Sequence, residues 1–106
     1  MSFLRRAAVA VLLALLVACG PPSEERMNEL KEQLQSSNTR TRNRAALDLA
    51  NYGRHAAPAI PQLKRLLNDP NGGVQTSAAY ALRQIGTPEA DAALKSAPKT
   101  RRVRRR

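Results

Sequence analysis

Shifted against itself by 33 positions, the sequence lays LQSSNTRTRNRAALDLANYG, residues 34–53, on LNDPNGGVQTSAAYALRQIG, residues 67–86. Leu34 falls on Leu67, Asn38 on Asn71, Ala45 and Ala46 on Ala78 and Ala79, Leu49 on Leu82, and Gly53 on Gly86; upstream, Leu30 falls on Leu63. Self-similarity at a fixed period of this length is the mark of an array, in which one unit cannot bury its apolar face alone and neighbours stack to make a continuous core.

Each copy has the same local grammar. Met27, Leu30 and Leu34 in the first copy, and Ile60, Leu63, Leu66 and Leu67 in the second, keep the three-and-four spacing of a helical apolar stripe. A polar turn follows, SSNT or NDPNGG, with Thr39 and Asn71 expected to cap the next helix. That helix carries paired alanines with a leucine three further on and ends at a glycine suited to a left-handed cap. A third, partial copy opens at Gly86, where Thr87 caps, Pro88 takes the first turn and Glu89 faces the positive helix end. The expected helices are about 24–36, 40–52, 57–67, 73–85 and 88–95, with Pro58 and Pro61 at the start of the third. Alanine and leucine abound while Phe3, Tyr52 and Tyr80 are the only aromatics, which suits close-packed helices over a sheet. The fold class expected is all-α.

LLNDPNGGVQTSAAYALRQIG resembles the HEAT repeat, in particular the short bacterial form related to bilin-lyase repeats. The resemblance covers roughly residues 27–94 and implies a short right-handed α-solenoid of about two and a half helix pairs. It also implies a ladder of hydrogen bonds between neighbouring repeats, made by an aspartate and an arginine six positions apart. Each copy here retains one half: Arg42 with Ser36 in the first, Asp69 with Gln75 in the second. A charge-assisted pair between Arg42 and Asp69 is therefore the expected inter-repeat contact. Arrays of about three units are usually needed for a self-supporting core, so this one is minimal.

The amino terminus reads differently. A positive start with Arg5 and Arg6 precedes an uncharged apolar run over residues 7–18. As a helix that run would rise ~18 Å, short of the ~30 Å of bilayer hydrocarbon, so a signal peptide over residues 1–18 is expected. Leu16-Val17-Ala18-Cys19 resembles the lipobox of bacterial lipoprotein signal peptides. The resemblance implies that Cys19, the only cysteine, becomes the acylated first residue of a membrane-anchored lipoprotein. At least two acyl chains, palmitate among them, would give firm anchoring. Residues 19–23 then form the lipidated cysteine and linker, residues 24–95 the repeat domain and residues 96–106 a basic disordered tail. Gly20 lacks the aspartate that commonly retains lipoproteins on an inner membrane, so outer-membrane anchoring facing the periplasm is expected if the source has one.

Catalytic constellations are missing. His55 is a lone imidazole, no glycine-rich phosphate loop is present, and Glu24, Glu25, Glu29 and Glu32 read as a solvated helical face. One histidine and one cysteine do not supply a transition-metal ligand set. The expectation is a non-enzyme without cofactors, and what remains is a surface.

In a HEAT stack the second helix of each pair lines the concave side. This makes Arg40, Arg44, Leu47 and Asn51, with Arg54 beyond, and Ser77, Tyr80 and Gln84, with Gly73 and Thr87 beside them, the candidate face for an unidentified protein partner. The formal charge of +10 is concentrated elsewhere: residues 20–95 carry ten basic and eight acidic side chains. Lys99, Arg101, Arg102, Arg104, Arg105 and Arg106 put +6 on the tail. They are the candidate residues for a second function, binding an anionic lipid or polymer with the helices as spacer. An exported location and the lack of stacking aromatics weigh against nucleic acid.

Overall fold

The computed structural model describes residues 21–97. The signal segment, Cys19 and the six basic residues of the tail lie outside the described residues. Five α-helices run α1 (Glu24–Gln33), α2 (Thr39–Tyr52), α3 (Ile60–Leu66), α4 (Gly72–Ile85) and α5 (Pro88–Lys95), with a 3₁₀ segment over Gly53–Ala59 leading into α3. Among the described residues there is no strand. The helices pair as α1 with α2 and α3 with α4, and α5 opens a third pair. The largest interface joins α2 to α4, the second helices of successive pairs. This is an all-α solenoid of HEAT-like pairs.

The caps fix where each helix begins. Ser23 accepts a hydrogen bond from the Arg26 N–H at 3.1 Å and starts α1, with Glu24 and Glu25 at its positive end. At α2 the cap is Asn38 rather than the expected Thr39: its Oδ1 accepts from the N–H groups of Arg40 at 2.9 Å and Thr41 at 3.3 Å. The asparagine side chain has the reach to serve two orphan donors, and Thr39 becomes the first helical residue. Asn71 caps α4 through the Val74 N–H, and Thr87 caps α5 through the Ala90 N–H, as the sequence predicts.

Two boundaries differ from expectation. α1 closes at Gln33, not near residue 36, because Gln35 and Ser36 donate to carbonyls only three residues back, which tightens the last turn into 3₁₀ geometry. The third helix becomes α-helical only at Ile60. Pro61 lacks an N–H and its ring would clash with the carbonyl four residues earlier, so no regular α-helix runs through residues 57–61; the 3₁₀ segment occupies that space. The glycine stops also split. Gly86 adopts the left-handed cap, φ 65° and ψ 15°, whereas Gly53 takes φ 55° with ψ −131° and swings the chain directly into the 3₁₀ segment.

Equivalent positions share interior places. Ala45 and Ala78 are both 0% exposed, as are the pairs Leu30 with Leu63 and Leu49 with Leu82. Alanines on α2 and α4 hold the helix axes close, and the leucines fill the space between layers.

Candidate protein-binding face

The inter-repeat seam positions the face and holds it rigid. Arg42 spans the seam: its Nε donates to Asp69 Oδ2 at 2.8 Å and its Nη2 to Asp69 Oδ1 at 3.1 Å. A two-pronged guanidinium–carboxylate contact fixes orientation as well as distance. A third donor, Nη1, reaches the Ser36 carbonyl within its own repeat at 2.8 Å. The second copy keeps that local bond, because Gln75 Nε2 donates to the Asp69 carbonyl at 2.6 Å. Glutamine at this place thus preserves the brace inside the repeat and lacks the charge for the rung to the next one. Burial pushes the Asp69 carboxyl up, but the hydrogen bonds from Arg42 and from the Asn71 N–H, with the Arg42 charge, outweigh it and hold Asp69 below the usual carboxylate range.

Deeper in the same seam, Ser77 donates its hydroxyl to Asn43 Oδ1 across α2 and α4. Ser77 is buried. Placed by the sequence among the candidates for partner contact, it belongs to the helix–helix joint, because its hydroxyl is spent on Asn43 of the neighbouring helix. Arg40, Arg44, Leu47, Asn51, Tyr80 and Gln84 remain exposed on the second helices, as does Arg54 beyond α2. Leu47 at 40% and Tyr80 at 44% are the exposed large hydrophobic residues of the described chain. They occupy equivalent places in successive repeats, on adjacent helices.

A cleft of about 400 Å³ opens between α1 and α2, lined by Arg26, Gln33, Arg40, Thr41, Arg44 and Asp48. Arg26 bridges α1 and α2 by reaching Asp48 at 3.4 Å while holding Glu29 at 2.9 Å. Its pKa is raised further, first by the hydrogen bond to Glu29 and then by Tyr52, so it is a fixed charge. Arg26, Gln33 and Thr41 were not legible as part of this face. Arg26 and Asp48 are 22 positions apart and no local spacing signals their meeting. Among the described residues no group of three or more acidic, cysteine or histidine side chains is placed to hold a metal ion, and no helix is long and apolar enough to cross a membrane. His55 lies exposed in the 3₁₀ segment.

The family model described as HEAT repeats matches residues 27–106. The chain belongs to the HEAT-repeat family. No curated protein and no solved structure matches it. HEAT repeats are commonly protein–protein interaction scaffolds, and the fold is typically non-catalytic. The HEAT match runs on through residues 96–106, the stretch set apart above as a tail. In this HEAT chain the second helices present a surface of arginines, amides and two in-register apolar side chains, backed by a seam that holds them at fixed spacing.

Proposed function

We propose that this HEAT-repeat chain is a membrane-anchored scaffold that holds a protein partner on the open face of α2 and α4. The observation that carries the docking half is the exposure of Leu47 and Tyr80 at equivalent places on adjacent helices, flanked by Arg40, Arg44, Asn51 and Gln84. Large apolar side chains rimmed by arginine and amide are the composition of interaction hot spots, and a rigid helical backing lowers the entropic cost of docking. A photo-crosslinking residue at position 47 or 80 is expected to trap a discrete protein in intact membranes, one that the same residue at exposed position 65, on the first helix of the second pair, does not trap. Leu47→Ala with Tyr80→Ala should abolish the adduct. Equal trapping from the control position would remove the docking reading.

The anchoring half is supported by the charged start, the apolar run of residues 7–18 and the string Leu16-Val17-Ala18-Cys19. Export follows from the same features, with an outer membrane as destination where one exists. Intact-mass measurement of the membrane-extracted chain is expected to give a mass lacking residues 1–18 and carrying acyl chains on Cys19. Cys19→Ala should leave the protein unprocessed and unacylated; an unchanged mass pattern would refute acylation at this thiol.

A further inference from the structure

The chemistry of the partner can be read from the charges around the docking face, and this inference rests on the docking reading above. Acidic side chains gather on α1, where Glu24, Glu25, Glu29 and Glu32 outnumber Arg26 and Lys31. The open face is the opposite. Arg40 and Arg44 stand on one margin, and Arg54 lies beyond the end of α2. Asp48, the one carboxylate of α2, is held by Arg26. Among the described residues Arg40, Arg44 and Arg54 make no ion pair.

Arg40 and Arg44 are one helical turn apart on the wall of the cleft, with the Thr41 hydroxyl and the Gln33 amide beside them. Guanidiniums are donor-only groups whose fork matches a carboxylate. Leu47 lies three residues beyond Arg44 on the same face, and Tyr80 holds the matching place on α4. A sulfated or phosphate polymer would use the arginines and leave both hydrophobic side chains unsatisfied. A polypeptide with acidic and apolar residues close together uses all of them. We propose that the open face binds an acidic polypeptide segment, with a carboxylate in the Arg40–Arg44 cleft and a neighbouring aromatic or aliphatic side chain between Leu47 and Tyr80.

The test titrates the full chain with four probes: a glutamate–tyrosine random copolymer, polyglutamate, a lysine–tyrosine copolymer and heparin. The glutamate–tyrosine copolymer is expected to bind about tenfold tighter than polyglutamate, and Arg40→Gln with Arg44→Gln, or Leu47→Ala with Tyr80→Ala, should each weaken it about tenfold. All four positions are exposed, so circular dichroism melting should be unchanged in these variants. Replacing the five tail arginines by glutamine should preserve the preference for the tyrosine-bearing polymer. The proposal fails if that preference is absent, if only the tail variant loses it, or if heparin binds as tightly as the copolymer and is indifferent to the Leu47 and Tyr80 changes. A lysine–tyrosine copolymer that binds and depends on Leu47 and Tyr80 would overturn the acidic assignment while leaving the docking face in place.

Discussion

At Asp69 one carboxylate serves three partners, the Arg42 Nε and Nη2 groups and the Asn71 N–H at 2.9 Å. With its side chain 4% exposed and that of Arg42 13% exposed, removing either member strands polar groups that water reaches poorly. Asp69→Ala is expected to cost about 2–4 kcal/mol of unfolding free energy, most of it from the donors left behind. The same carboxyl makes stability depend on pH with a definite sign. Because it titrates lower in the folded chain than in the unfolded one, its contribution is complete above the ordinary aspartate value of about 3.9 and is lost as pH falls through the folded value. Urea midpoints should therefore drop more steeply below about pH 4 in the wild type than in Asp69→Asn. Parallel acid limbs would show that the pair carries no such linkage.

At the scale of helices, alanine at positions 45, 46 and 78 sets the approach of α2 to α4, and there is no room for more. Ala78→Leu is expected to cost at least about 1–3 kcal/mol by overpacking, while Leu82→Ala should cost about 2–5 kcal/mol by opening a cavity in the same layer. Thermal melts of the two variants check both, and a neutral Ala78→Leu would mean the helices can part without penalty. These positions were legible because burial leaves a periodic trace: Leu30, Leu49, Ala45 and their partners 33 residues on all point inward. The Arg42–Asp69 rung was legible for a different reason, since two half-kept ladder positions complement each other across the repeat. What escaped were choices made by local competition. Asn38 and Thr39 are both capping types and only geometry decides between them, whereas the 3₁₀ segment reflects the spacing of Pro58 and Pro61 more than any stripe. Ser77 escaped because a small polar residue at a seam and one at an open face look alike until a partner such as Asn43 is placed opposite.

For the whole molecule, the positions where the two copies disagree mark the ends of the array. Val74, Ser77 and Ala81 are buried where α4 meets α2, but their counterparts Thr41, Arg44 and Asp48 are exposed or half-buried at the leading end. Conversely Ala46 and Ala50 are buried in the seam, while Ala79 and Arg83 at the same places on α4 line a trailing cleft with Leu67, Gln75, Leu94 and Ala97. Charge at the leading end therefore does the work of a capping repeat: it makes a surface shaped like an interior seam unfit to receive another copy. This predicts what undoing it would do. Converting the leading face to the sequence of its buried counterpart, Thr41→Val, Arg44→Ser and Asp48→Ala, and completing the ladder with Ser36→Asp and Gln75→Arg, should let the trailing face of one chain stack on the leading face of the next. Such a contact is head-to-tail and does not close, so association should grow with concentration toward open chains rather than stop at a dimer. Sedimentation velocity over a hundredfold concentration range reads this directly. A weight-average sedimentation coefficient that rises no more for the variant than for the wild type would mean that the trailing face is already covered, and that the polar leading face is not what stops the array from growing.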